Sequence, residues 1–165
     1  MTNAFNELEF RRALGTFATG VTVVSTVNGN GQFDGLTVNS FNSVSLEPPL
    51  ILWSLSLTTP HFSVLKNIPR FAVNILAADQ IAIAERFATL DSNQFDGIDM
   101  TTGLGGVPLL GGCVSALECR TETTYPGGDH IIFIGRVERL HYHGGEPLLY
   151  WSSGYRELAL LNDAS

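Results

Sequence analysis

Lysine is nearly missing from this chain. Lys66 is the only one in 165 residues, and nine lysines and arginines together face sixteen acidic residues, a net charge of −7. A nucleic-acid backbone is held by many cations, and so is an anionic membrane surface, so both partners are set aside. An anionic ligand must then be held locally, by N–H groups, hydroxyls and one or two arginines. Cysteine is almost as scarce, with only Cys113 and Cys119. On a shared strand they would lie roughly 20 Å apart, whereas a disulfide needs Cα atoms within about 7 Å. Two thiols without further ligands also make a poor metal site, so no metal is expected. No apolar run approaches the length of a membrane span, and MTNAFNELEFRR lacks an apolar secretory core, which makes a cytoplasmic location the expectation.

Familiar catalytic signatures are missing too. No G-x-S-x-G elbow occurs. The segment DSNQFDGIDM has some acidic spacing of a calcium loop, but Phe95 takes a ligand position, Gly97 comes one place late, and Thr102 stands where a bidentate Glu is required. GLGGVPLLGG has no strand leading into it and is interrupted by Pro108, so it is no dinucleotide fingerprint. Residues 90–112 therefore read as glycine-rich loop. With 44% hydrophobic and 15% charged residues, the chain reads as one globular domain over 1–165. Its low charge leaves apolar surface for an oligomer interface.

What is present centres on Asp34 to His61. A polar, small-residue segment (Gly35, Thr37, Asn39, Ser40, Ser43, Ser45) precedes the breaker Glu47-Pro48-Pro49. An apolar run, Leu50 to Trp53, then flows into Ser54, Ser56, Thr58 and Thr59 before Pro60 and a short helix. A helix start offers unpaired N–H groups and a partly positive dipole end, and Thr at the cap with Pro behind it suits that position. Two readings stay open: a phosphate cradle built with strand-delivered hydroxyls, or a plain helix cap.

Around this stretch, Asn6 to Phe17 reads as a helix capped by Asn6 and Glu9, with Phe10, Ala13, Leu14 and Phe17 packed on the body of the fold. Val21 to Val27 and Gln32 to Val38 form a hairpin across Asn28-Gly29-Asn30-Gly31. Leu50 to Ser56 and Phe71 to Leu76 are strands, and His61 to Asn67 is a short helix. Asp79 caps a helix from about Gln80 to Thr89, with Ile81, Ala84, Phe87 and Ala88 as its apolar side. Cys113 to Tyr125, His130 to His143 and Leu148 to Trp151 complete the strands. Consecutive strands joined by Gly turns predict a mainly β fold with peripheral helices, an antiparallel barrel.

His130 opens a strand after Gly127-Gly128-Asp129 and belongs at a rim. His141 and His143 share a strand face and read as solvent-exposed. Arg86 and Arg156 read as surface ion pairs or ligand contacts. Phe41, Trp53, Phe87, Tyr150, Trp151 and Tyr155 read as core or interface.

TVNSFNSVSLEPPLI, followed by a strand and LTTPH, then FAVNIL, AERFA, GDHIIFIGRV and PLLYWSSGYR, occur here in order over about residues 8 to 157. This series resembles the short flavin reductases that supply reduced flavin to two-component monooxygenases. The resemblance implies an FMN-binding split barrel, an antiparallel split β-barrel, working as a homodimer beside a separate oxygenase. It implies FMN (or FAD) as flavin, and NADH or NADPH as donor, with low positive charge leaning to NADH. It places Asp34, Gly35, Thr37, Val38, Asn39 and Ser40 along the isoalloxazine, and Ser54, Leu55, Ser56, Thr58, Thr59 and His61 at the ribityl phosphate. Phe87 and Ala88 close the tail side, while His130, Tyr155 and Arg156 face the nicotinamide. LTTPH departs from the pattern of many relatives, which carry an arginine before the threonine. Two other classes fit the residues: a tight FMN-binding protein with little reductase activity, and a cofactor-free structural dimer.

Overall fold

A computed structural model describes residues 4–89 and 93–159. Residues 90–92, within the acidic loop segment, lie outside the described residues. The elements run α1 (Glu7–Leu14), β1 (Thr19–Gly20), β2 (Thr22–Val27), β3 (Phe33–Val38), β4 (Asn42–Leu46), β5 (Pro49–Ser56), α2 (Phe62–Leu65), β6 (Arg70–Ile75) and α3 (Ile81–Phe87). Then come β7 (Met100–Thr102), a 3-10 turn (Leu104–Gly106), β8 (Pro108–Leu110), β9 (Ser115–Gly127), β10 (His130–Tyr142), β11 (Leu149–Trp151) and β12 (Gly154–Arg156). Seven strands form one antiparallel sheet in the order β3-β2-β6-β9-β10-β5-β4. The mainly β, antiparallel fold is thus present. The sheet's two edges, β3 and β4, are not hydrogen-bonded to each other.

The period-2 alternation of β-strands divides the apolar residues between two layers. One face gathers Val24, Trp53, Leu55, Phe71, Val73 and Phe133 into a closed interior, where Trp53 stacks on Phe133 at 4.5 Å. On the other face Val21, Val23, Leu76 and Leu148 pack with Ala84 and Phe87 of α3. β2 is buried from both sides, Thr22 through Thr26.

The Asn28 turn forms as its sequence dictates. The Asn28 side-chain oxygen accepts from the Asn30 and Gln32 amides, and Gly31 takes a positive φ of 77°. Asn6 and Glu9 close a capping box on α1. The apolar face of α1 does not pack on the barrel, however. Phe10, Leu14 and Phe17 are 49%, 58% and 74% exposed, because among the described residues no element lies over them.

Further expectations need correction. Asp79 does not cap α3; Gln80 stands at that position and bonds the Ala77 amide and the Gly111 carbonyl. The polar segment after Asn39 contains β4, which pairs with β5 across a turn holding a cis Glu47-Pro48 peptide. Residues 90–112 contain the β7–β8 hairpin as well as loop. Buried Asn74 holds that hairpin to the sheet: its amide nitrogen donates to the Val23 carbonyl and the Ser25 hydroxyl, and its oxygen accepts from the Leu110 amide. Ser25 in turn donates to the Pro108 carbonyl at 2.6 Å. A fourth departure is β12, which pairs with β11 across Ser152 and Ser153. Cys113 precedes β9 rather than lying on it. Burial pushes the Cys113 thiol up to about 11, partly offset by Gln80, and that of Cys119 up to about 12, so both stay protonated and unreactive.

His141 is half-buried rather than free in solvent. Its Nε2 pairs with Glu118 Oε1 at 2.7 Å, and Glu118 is 1% exposed. Burial acts to raise the Glu118 carboxyl. The hydrogen bonds from His141 and the Leu104 amide, with the charges of Arg139 and His141, outweigh it and hold the group below its ordinary 4.5. A depressed folded pKa stabilises the fold above the unfolded value, and that stability is lost as pH falls through the folded value. Glu118→Gln should therefore lower Tm at neutral pH, and the gap to wild type should close as pH drops below about 4. Thermal unfolding across pH checks this; a gap independent of pH would contradict it.

Candidate active site

The hairpin β2–β3 carries the segment Thr37 to Ser40 to one end of the sheet, where β5 also ends and β10 begins. His130 is in register with Ser56, and Ile132 with Ser54. A cavity of about 210 Å³ opens here, lined by Leu36, Thr37, Val38, Asn39, Ser40, Ser54, Ser56, Thr59 and His130. A second cavity of about 310 Å³ shares Thr37 and Asn39 with the first and is otherwise lined by Val21, Ala88, Tyr150 and Tyr155. Two adjoining spaces thus meet at Thr37 and Asn39.

The floor is tied by hydrogen bonds. The Ser40 hydroxyl accepts from the Ser54 amide at 3.0 Å and lies 3.3 Å from its carbonyl, joining the end of β3 to β5. Thr37 donates to the Ala84 carbonyl at 2.7 Å, joining β3 to α3. The Leu57 amide donates to the Asp129 carbonyl at 2.9 Å, which fastens the hydroxyl turn to the turn before His130. The His130 ring is 42% exposed at the rim, with Nδ1 at 2.8 Å from Asp129 Oδ1. The hydrogen bond from His130, then its charge, hold the Asp129 carboxyl below its usual range. An ionised Asp129 can only accept, which assigns the proton to Nδ1. Burial, then the charges of Glu85 and Tyr150, raise the Tyr155 phenol, so it lines its cavity as a neutral O–H.

Of the residues predicted for the site, Thr37, Val38, Asn39, Ser40, Ser54, Ser56, Thr59 and His130 line the first cavity, and Ala88 and Tyr155 the second. Others stand elsewhere. Leu55 is fully buried in the interior layer, pointing away from Ser54 and Ser56 as strand alternation requires. Phe87 is also fully buried, and Gly35 lies against it: a Cβ there would sit 2.7 Å from the Phe87 ring. Both belong to the support behind the cavities. Asp34 and His61 bond to each other, Oδ1 to Nδ1 at 2.6 Å, with His61 3% exposed. Thr58 bonds Ser56 within the turn. Arg156 lies on the exposed side of β12, donating to the Tyr155 carbonyl and stacking over Trp151. Arg86 donates to the carbonyls of Asn93 and Asp96, so it fixes a loop rather than a ligand.

The helix-start cradle also needs revision. α2 spans only four residues, begins after His61, and has no side-chain cap from Thr59. The Leu57, Thr58 and Thr59 amides are already bonded to Asp129, the Ser56 hydroxyl and the Ser56 carbonyl. The turn still presents the hydroxyl row of Ser56, Thr58 and Thr59 to an anion. Leu36, Val21 and Tyr150 are lining residues that sequence reasoning did not select. Tyr150 had a usable signal, since a strand across from Tyr155 pairs the two rings, here at 5.6 Å.

Apolar strand residues, a pair of tyrosines, small hydroxyls and one amide suit a flat heteroaromatic ligand with polar edges. Among the described residues, no three His, Cys, Asp or Glu converge as metal ligands would.

A family model for the flavin reductase like domain matches residues 14–159. The chain is 41% identical over 145 residues to an NADH-dependent FMN reductase of Agrobacterium fabrum, covering 88% of this chain and 82% of that one. It is 37% identical over 153 residues to the reductase subunit of a flavin-dependent monooxygenase from Rhodococcus jostii, covering 92% and 78%. The NADH:FAD oxidoreductase of Streptomyces globisporus, solved with NAD and FAD fragments, superposes with a TM-score of 0.88 at 36% identity, covering 100% of this chain and 99% of that one. With its antiparallel sheet and its paired cavities at one end, the chain belongs to the flavin reductase family.

Proposed function

We propose that this protein is an NADH:flavin oxidoreductase that reduces FMN, or FAD, and releases the reduced flavin to a separate monooxygenase. The observation that carries the reading is the meeting of two cavities at Thr37 and Asn39, with His130 on the rim of one and Tyr155 in the other. A flavin supplies the hydride acceptor and a nicotinamide the donor, so the protein need only hold the two rings together and keep water out. Thr37, Val38, Asn39 and Ser40 offer N–H groups and small polar side chains along one edge, where the pyrimidine end of the flavin gains charge on reduction. Ser54, Ser56, Thr58 and Thr59 offer hydroxyls for the ribityl phosphate. His130, held by Asp129, stands beside the nicotinamide; Ala88 and Tyr155 border the second space. This arrangement explains the lack of an acid–base constellation in the sequence.

The protein acts as a homodimer in this reading. The support is the exposed apolar face of α1 and the edge strand β4, where Leu46 is 93% exposed. Residues 1–165 act as one flavin reductase-like domain. A cytoplasmic setting accords with two buried free thiols. Among the described residues, no helix is long and apolar enough to cross a membrane.

NADH consumption with and without FMN, FAD and riboflavin tests the function. Flavin-dependent consumption is expected. Flavin retained through gel filtration with negligible consumption would favour the tight FMN-binding alternative instead. His130→Ala should cut kcat/KM for NADH about tenfold, with a smaller effect on FMN affinity. Unchanged NADH kinetics would remove His130 from the nicotinamide side.

A further inference from the structure

We infer that Asp34 and His61 form a positioning clamp that sets flavin affinity from behind the cavity wall, without touching the flavin. The inference rests on the flavin-reducing reading above. Asp34 lies on β3, three positions before Thr37, and His61 follows the hydroxyl turn directly after Pro60. Their 2.6 Å contact joins two segments 27 residues apart in sequence, and both side chains are largely withdrawn from solvent, 15% and 3% exposed. Neither residue lines either cavity. Yet the segments they join contribute six lining residues of the first cavity, Leu36 to Ser40 and Thr59.

Beyond the sheet ladder, the clamp acts beside two other ties on the hydroxyl turn and its strand. Ser40 binds the Ser54 backbone, and the Leu57 amide binds the Asp129 carbonyl next to His130. A turn released from β3 would therefore shift its hydroxyls relative to Thr37 and Asn39. His61 Nε2 is buried without a hydrogen-bond partner among the described residues. The imidazole is thus oriented through Nδ1 alone, and its hold on the turn depends on Asp34. Loss of one partner leaves the other buried and unpaired.

Asp34→Ala should raise the FMN dissociation constant, read by quenching of flavin fluorescence, and the KM for FMN about tenfold, with kcat within about twofold. Asp34→Asn keeps an acceptor oxygen for Nδ1–H and should recover most of that loss. His61→Gln provides an independent break of the same contact should Asp34→Ala fail to fold. In the flavin-free protein, amide exchange at Leu57 and Thr59 should accelerate in Asp34→Ala or His61→Gln. Ser25→Ala, which loses a buried bond to Pro108 away from the cavities, should lower Tm without changing FMN affinity. Wild-type FMN affinity in the clamp variants overturns the clamp, as does a loss of affinity that Ser25→Ala reproduces at equal Tm. Failure of the functional reading looks different: the wild-type protein itself would neither bind FMN nor consume NADH, while the exchange measurement still reports whether the pair restrains the turn.

Discussion

Trp53→Ala is expected to cost about 3–5 kcal/mol of folding stability. Trp53 is fully buried on β5, directly in register with Phe133 on β10, and their rings stack at 4.5 Å with an interplanar angle of 15°. Phe71 on β6 meets the indole edge at 5.7 Å. One side chain thus bridges three strands of the seven-stranded sheet. Truncation leaves a cavity that these strands cannot close, because their spacing is fixed by the backbone ladder. Trp53→Phe should cost much less. It keeps the stack on Phe133 and removes an indole N–H that has no partner among the described residues. Urea unfolding distinguishes the two variants: the midpoint should fall in the order wild type, Phe, Ala, with an unchanged m-value. Equal losses for Phe and Ala would mean that the ring stack contributes little.

The second large effect is expected at Asn74. Asn74→Leu keeps the branched shape with bulkier methyl ends, but removes three hydrogen bonds and leaves the Leu110 amide without its acceptor. Each unpaired buried group costs about 1–3 kcal/mol, and the bonds belong to one network through Ser25, so about 3 kcal/mol or more is expected in total. The loss should concentrate in the β7–β8 hairpin, which the network fastens to β2 and β6. Amide exchange at Leu110 would rise well beyond the global change, alongside a lower urea midpoint. An exchange pattern shifted equally throughout the sheet would argue that Asn74 supports only global stability.

The parts of this fold that were legible in the sequence are those whose cause is local. The Asn28 to Gly31 turn needs residues that tolerate positive φ, and the capping box of α1 needs only Asn6 and Glu9. Long runs such as β5, β6, β9 and β10 are continuous and apolar enough to stand out. β4, β7, β8 and β12 were not legible because they are short, polar or glycine-rich, and exist only by pairing with a neighbour. The same holds for side chains. Nothing near His61 in sequence indicates that its partner is Asp34, nor does the surrounding of His141 point to Glu118. These contacts are made when distant strands come into register. Leu55 is different: the alternation Ser54-Leu55-Ser56 already places it opposite the two serines, and strand period alone would have removed it from the cavity. The cavity-lining set Thr37 to Ser40 was legible through the family resemblance, while the hydroxyl turn was legible only as composition, since its amides proved to be used internally.

Burial of β2 on both faces has a consequence for motion. A strand packed between two apolar layers can gain access to solvent only when one whole layer lifts away, so its amides belong to the slowest-exchanging class. β3 is laced to β2 along its full length, from Phe33 to Val38. The cavity floor therefore inherits the stiffness of the centre of the sheet. The opposite border is made by Ala88 after the seven-residue α3 and by Tyr150 and Tyr155 on paired three-residue strands, and it packs on the apolar layer that covers β2. A ligand would thus meet at Thr37 a floor tied both to the centre of the sheet and to α3.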